Sequence, residues 1–365
     1  MSSPLLSPLQ LPRGRALPNH FVLAPLTNQQ SNVDGTLSDD EHRWLTMRAD
    51  GGFGLTMTCA AHVQAVGQGF PGQLGVWGDH QLPGLTRLAS DINATGSVSI
   101  AQLHHAGNRS PIEVIGTTPV CPSDDEETGA RALSTDEVQE LVADFVAAAV
   151  RCEAAGFDGV ELHGAHGYII CQFLSSTLNR RGDEYGGSLE NRSRLLFEML
   201  ADIREQCGDD FIVGVRLSPE RFGMDLAEIR TLTQQLIDTG DVDFMDLSLW
   251  DCFKEPEDEQ WHGRSLVEIV CDIERRTDPQ GRRVPVGVAG KIHDPADAER
   301  VIAAGADFPI LGRVAILHHD YPQRLASDSA FVPVRPPVSR RYLAEQGLSP
   351  AFVEYMNRWA GFIAD

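Results

Sequence analysis

The feature that most constrains this chain is a unit repeated eight times: a short apolar, β-branched run followed, in most cases, by a capped amphipathic segment ending in glycine. Such runs read as buried strands and the segments between them as helices, which is the signature of βα units. The eight expected strands are Phe21 to Thr27, Gly54 to Ala61, Ser97 to Leu103, Gly159 to His163, Phe211 to Ser218, Phe244 to Trp250, Val284 to Gly290 and Phe308 to Arg313. Ser38-Asp-Asp-Glu41, Ser134-Thr-Asp-Glu137 and Ser265-Leu-Val-Glu268 have the spacing of capping boxes and mark helix starts. Ser188 precedes a further helix, another runs through Ile229, Leu232 and Leu236, and Pro295 sits in the first turn of a third.

Parallel strands joined by right-handed crossovers keep two raw edges unless the sheet closes, so eight units predict an α/β fold: a single (β/α)8 TIM barrel with an N-terminal lead-in and a C-terminal extension. A doubly wound sheet is the alternative, and the lack of G-x-G-x-x-G after the first strand argues against it. No linker-like shift in composition divides the chain. The expected domain therefore runs over residues 1–365, with a barrel core from about 19 to 322 and the extension from about 327 to 365.

Charge bears on partners. With 30 Lys+Arg against 52 Asp+Glu the formal charge is −22, which repels nucleic acid and anionic membrane. No apolar stretch approaches the roughly 20 residues that span a bilayer, and prolines break the opening MSSPLLSPLQLPRGRALPNH before a signal-peptide core can form. Seven cysteines, an odd number without a C-x-x-C pair, suggest neither a disulfide framework nor a zinc or iron–sulfur site. The expected location is the cytoplasm, with no nucleic-acid or membrane partner; the sequence leaves open whether the chain forms a homo-oligomer.

Barrel active sites lie at the C-terminal ends of the strands. The polar residues expected there are Thr27, Gln102, His163, Arg216 and Arg313. Gly290 after the seventh strand, and Gly312 with Arg313 after the eighth, occupy the positions where barrels hold phosphate through backbone N–H groups and a cation. Taken singly, Arg313 is equally a surface arginine, and Arg216 a buried ion pair that closes the barrel. His163 and His166 lack the i, i+4 helical spacing of a zinc pair and have no evident third ligand, so no metal is expected.

The segment from His163, HGAHGYIICQFLSSTLNRRGDEYGGSLENRSRLLFE, closely resembles the signature of the Old Yellow Enzyme family of FMN-dependent ene-reductases. APLT at Ala24 to Thr27, QLHHAG at Gln102 to Gly107, VRLS at Val215 to Ser218 and LGR at Leu311 to Arg313 fall in that family's order and spacing, so the resemblance spans roughly Asn19 to Pro322. It implies a tightly bound, non-covalent FMN and hydride transfer from NAD(P)H, through FMN N5, to the activated C=C of α,β-unsaturated carbonyl or nitro compounds in a ping-pong cycle. By resemblance, Arg313, Gly312 and Gly290 form the phosphate site. Gln102 meets the flavin pyrimidine edge, and Arg216 stabilises the negative charge of the reduced ring near N1 and O2. Thr27 meets O4 or N5, and Pro25, Leu26 and Ala60 pack on the isoalloxazine. His163 and His166 are cast as donors to the substrate oxygen, and Tyr168 as the acid that protonates the α-carbon.

Two other readings make different predictions. A metal-dependent barrel hydrolase or aldolase would be colourless and inhibited by chelators, and a non-catalytic FMN-binding sensor or scaffold would turn over only with oxygen. Asn28 and Gln68 stand where many relatives carry basic residues, which leaves the choice between NADH and NADPH open. The acidic stretch Leu249 to Gly263 brings Trp250, Phe253 and Trp261 as candidates to shape the pocket. The C-terminal YLAEQGLSPAFVEYMNRWAGF has two expected sites of packing, the barrel or a neighbouring subunit. His104, His105, His318 and His319 are given no role.

Overall fold

The computed structural model describes residues 4–275, 277 and 282–364; the two ends of the expected domain, residues 1–3 and 365, lie outside it. Eight parallel strands close into a barrel: β1 (Val22–Leu23), β2 (Leu55–His62), β3 (Val98–His104), β4 (Gly159–Gly164), β5 (Ile212–Leu217), β6 (Phe244–Ser248), β7 (Val286–Ala289) and β8 (Phe308–Leu311). Each strand pairs with its neighbours in sequence, and β1 pairs with both β2 and β8, so the sheet has no free edge. All eight expected strands are present, most of them shorter than their apolar runs. β1 shrinks most, because Pro25 has no N–H to continue the ladder after Ala24 donates to Leu311.

Two apolar layers hold the barrel. Helices such as Thr135–Ala154 and Leu189–Gln206 bury one stripe each against the outer faces of the strands. Inside, Val22, Leu55, Met57, Val98, Ile100, Ile212, Phe244, Phe308 and Ile310 fill the end where the strands begin, closed from below by Leu11 and Leu17 of the lead-in. The rings of Phe244 and Phe308 meet edge-on at 6.3 Å. They fit because β5 and β7 carry Gly214 and Gly287 beside them, where a Cβ would lie 2.1 Å and 2.0 Å from those rings. With its lower half filled by hydrocarbon, the barrel has room for polar side chains only in its upper half.

The boxes at Ser134 and Ser265 form completely. The expectation for Ser38 is half right. Its hydroxyl accepts from Glu41 N, but the Glu41 carboxylate turns inward instead of back to the cap. There it is fully buried and receives hydrogen bonds from Asn28 at 3.1 Å, from Cys59 at 2.9 Å and from Ser31. Three donors offset much of the cost of burying the group, although burial still raises its pKa.

After residue 327 the chain forms two short helices, Arg340–Glu345 and Pro350–Asn357. Within the chain they pack on the barrel. Phe352 meets Trp44 edge-on at 4.8 Å, Gln346 O accepts from the buried Arg48 at 2.8 Å, and Ser349 N donates to Gln30 at 3.1 Å. Among the described residues no helix is long and apolar enough to cross a membrane.

Candidate active site

The mouth of the barrel is built from strained backbone. The non-glycine residues with left-handed φ among those described are Gln29, His166, Arg221, Phe222, Trp250 and Lys291, and each lies in a segment leaving a barrel strand at its C-terminal end. Such conformations cost on the order of 1–3 kcal/mol each and persist where surrounding packing imposes them, most often at functional sites.

One of these turns sets the central cluster. β4 ends with His163 facing inward, His166 (φ 61°) and Gly167 (φ 73°) follow in left-handed conformation, and Tyr168 caps the helix Ile169–Leu174. The double left-handed turn folds His163, His166 and Tyr168 around one space. Ring centroids are 5.0 Å apart for the two histidines, 5.2 Å for His163 and Tyr168, and 6.4 Å for His166 and Tyr168. His104, at the end of β3, meets Tyr168 edge-on at 4.3 Å. Arg109 lies over the Tyr168 ring at 4.8 Å and donates to the carbonyl of His166.

Burial holds His163, His166 and His104 well below the usual histidine range. Arg216 and Arg109 add to the effect on His163 and His166, and His105 adds to it on His104. All three are therefore neutral at pH 7, and each imidazole offers one N–H. A chain of hydrogen bonds orients His166. Arg216, which can only donate, reaches Ser248 Oγ at 3.4 Å, and Ser248 Oγ lies 2.7 Å from His166 Nε2. Ser248 Oγ thus bridges the guanidinium and the imidazole and fixes the orientation of the His166 ring. Among the described residues His163 Nδ1 and both ring nitrogens of His104 have no hydrogen-bond partner.

Below this cluster, Gln102 on β3, Glu161 on β4, Arg216 on β5 and Asp246 on β6 are buried inside the barrel. Arg216 Nε lies 3.1 Å from Asp246, so the ion pair weighed from the sequence is present. Gln102 Nε2 donates to Glu161 at 2.6 Å. The rim beside them is formed by Pro25, Leu26 and Thr27 after β1 and by Ala60 on β2, all only partly buried. Ala60 is turned to the mouth by a bulge between Met57 and Ala60 that brings it opposite Gln102. The Tyr355 side chain, from the last helix, reaches Thr27.

These residues fit an FMN. Arg313 is exposed and in no ion pair with a described residue, at the start of a helix that no side chain caps. A Cβ on Gly312 would approach nothing closer than 3.6 Å, so the protein itself does not demand glycine there, and the space suits a bound phosphate. Gly290 has a reason of its own. A Cβ there would come within 2.9 Å of the backbone of Trp250 and Asp251.

Sequence reasoning left out His104, Arg109, Ser248, Glu161, Asp246 and Tyr355. The alternation of a strand could have found three of them, since His104 lies two residues after Gln102, Glu161 two before His163, and Ser248 two after Asp246. Of the aromatics in the acidic stretch, Trp250 stands at the mouth, 6.2 Å from His166 and under Arg221 at 4.4 Å. Phe253 and Trp261 instead pack under Arg300 and Arg230, so neither joins Trp250 in the cluster. Gln68 is buried and donates to Phe70 O. Among the described residues no group of three or more His, Cys, Asp or Glu could hold a metal ion.

The NADH:flavin oxidoreductase / NADH oxidase family matches residues 4–330 of the chain. A Bacillus subtilis protein, "Probable NADH-dependent flavin oxidoreductase YqiG", is 35% identical over 85% of this chain and 84% of its own length. The NADH:fumarate oxidoreductase of Klebsiella pneumoniae is 34% identical over 88% of this chain, which spans only 36% of that longer protein. Among solved structures, the Old Yellow Enzyme homologue from Zymomonas mobilis superposes with a TM-score of 0.79 at 26% identity, covering 96% of this chain and 99% of that one.

Proposed function

The chain belongs to the NADH:flavin oxidoreductase / NADH oxidase family, that of the Old Yellow Enzymes, and on that premise we propose that it saturates the activated C=C of α,β-unsaturated carbonyl or nitro compounds in a ping-pong cycle. It is an NAD(P)H-dependent oxidoreductase with FMN as cofactor. Bound FMN supplies the site at N5 that receives a hydride and passes it on.

The observation that carries the proposal is the grouping of two neutral histidines and one tyrosine around a single space at the barrel mouth. His166 and His163 hold the carbonyl or nitro oxygen of the substrate. Their N–H groups gain most when negative charge collects on that oxygen, which is when a hydride arrives at the β-carbon. Neutral imidazoles suit this role because they donate without surrendering a proton to the oxygen. Tyr168 then delivers a proton to the α-carbon, with its ring held between His104 and Arg109. Arg313 and the open backbone at Gly312 hold the FMN phosphate with Gly290 nearby, Gln102 and Arg216 the pyrimidine edge, and Pro25, Leu26, Thr27 and Ala60 one wall of the ring system.

We read residues 19–322 as the FMN-binding core and the helices after residue 327 as an extension that braces the β1 loop. Seven buried free thiols suit a reducing compartment, and we assign the protein to the cytoplasm. The test is anaerobic. NADH or NADPH should bleach the flavin spectrum, and 2-cyclohexenone should restore it with formation of cyclohexanone. A reduced flavin that only oxygen reoxidises would refute the alkene assignment and favour the sensor.

A further inference from the structure

Two carboxyls and one guanidinium share the barrel interior beneath the mouth. Glu161 and Asp246 are fully buried, and strand register sets Gln102 opposite Glu161 and Arg216 opposite Asp246. The two carboxyls lie close enough for each to bear on the other's ionisation. Arg216 Nε stands 3.1 Å from Asp246 Oδ2 without hydrogen-bond alignment, and among the described residues no nitrogen or hydroxyl donates to Glu161 Oε2 or to either Asp246 oxygen. If both carboxyls were ionised, one cation would face two buried anions with three unserved acceptor atoms, an arrangement of high cost. A proton between the carboxyls supplies the missing donor and makes the cluster neutral.

We propose that Glu161 and Asp246 share one proton, and that the pair binds a second when the flavin beside Gln102 and Arg216 is reduced. The inference rests on the placement of the flavin pyrimidine edge at those two residues. NAD(P)H gives up a hydride, two electrons with one proton, and becomes NAD(P)+, which leaves the flavin with one added negative charge. That charge competes for Arg216, so the carboxylate paired with the guanidinium loses part of its stabilisation and takes a proton from solvent. When the hydride moves on to the substrate, the proton returns. Around the pair stand Gln102 on β3, Arg216 on β5 and Cys252 after β6, Arg216 in turn reaches Ser248, and the histidines of the mouth, His104 and His163, lie above them. The histidines are neutral, which makes Arg216 the one fixed charge among them. Burial raises the pKa of both carboxyls, with Asp246 adding to the rise at Glu161 and Arg216 opposing it at each.

The test uses holoenzyme. Infrared spectra of the oxidised protein should show a protonated-carboxyl C=O stretch that is lost in Glu161→Gln; its absence from wild type overturns the shared proton wherever the flavin lies. The midpoint potential, followed against pH around neutrality, should report two protons per two electrons. Each proton contributes a tenfold change per pH unit, about 30 mV for a two-electron couple. The double variant E161Q/D246N should lose one proton's worth of slope. A wild-type slope of one proton overturns the coupling, and that measurement stands even where the double variant does not fold. Gln102→Ala separates the two levels. If it binds FMN as tightly as wild type, the placement of the flavin is wrong; if it weakens FMN binding while wild type takes up one proton, only the coupling fails.

Discussion

The ring of His104 meets the ring of Tyr168 edge-on, 4.3 Å between centroids. His104 is buried, neutral and, among the described residues, without a hydrogen-bond partner on either nitrogen. It therefore acts on Tyr168 as a wall, and with Arg109 on the ring the phenol has little freedom to turn. A proton donor to carbon needs that restraint, because carbon offers no lone pair to align it.

Tyr168→Phe should spare flavin reduction by NAD(P)H, which needs no protein acid. It should slow reoxidation by cyclohexenone by roughly 10²- to 10⁴-fold, the usual contribution of general acid catalysis. A quinone, protonated on oxygen by solvent, should lose much less. Stopped-flow measurement of both half-reactions decides; equal slowing of the two would indicate structural damage.

The histidine pair should be visible without turnover. A para-substituted phenol should bind oxidised holoenzyme as phenolate and give a long-wavelength charge-transfer band, because N–H donors favour the anion and lower its pKa. His163→Ala and His166→Ala should each weaken that band and the binding. Unchanged titrations in both variants would remove the pair from the oxyanion role.

Ser248 links Arg216 to His166, so Ser248→Ala should free the imidazole to change orientation. A hydrogen bond of this kind contributes about 0.5–1.5 kcal/mol, which predicts a loss of up to roughly tenfold in kcat/KM for cyclohexenone. Ser248→Thr, which keeps the hydroxyl, should recover most of it. Wild-type activity in the alanine variant would show that the relay does not orient His166.

Arg313→Ala should weaken FMN binding by roughly tenfold or more, since hydrogen bonds to charged groups contribute about 1.5–3 kcal/mol. Fluorescence titration of stripped protein with FMN measures this directly. Equal affinity for FMN and riboflavin in wild type would place the phosphate elsewhere.

Stability should fall as the solution is acidified below about pH 6.5. Seven histidines, His62, His104, His105, His163, His166, His293 and His318, are held below the usual range by burial, His62 to about 4. Between the native and unfolded values the unfolded chain binds more protons, and each fully buried group removes up to about 1.4 kcal/mol of stability per pH unit of acidification, the half-buried His293 less because solvent screens it. Glu41, Glu161 and Asp246, raised by burial, act with the opposite sign, losing stability as pH rises above the ordinary carboxyl range, but they are fewer. Calorimetry from pH 7 to 5 should show a falling Tm; a flat or rising one would mean the histidines are not neutral and buried.

What the sequence determined by itself is what short-range rules encode. Apolar runs with caps such as Ser134 and Glu137 mark the strands and helices, because a helix start involves residues three apart and a strand its own alternation. The motif from His163 to Tyr168 was legible for the same reason, since one turn of chain carries all three side chains. Only the tertiary structure decided which distant groups meet. Barrel closure sets the register that puts Arg216 beside Asp246 and Gln102 beside Glu161. Packing of the last helix on Trp44 carries Tyr355 to Thr27. Glu41, which reads locally as half of a cap, was drawn instead to Asn28, Ser31 and Cys59, because a buried cluster of three donors outweighs one exposed backbone N–H. Such choices depend on which elements come together when the sheet closes, and no window of neighbouring residues contains that information.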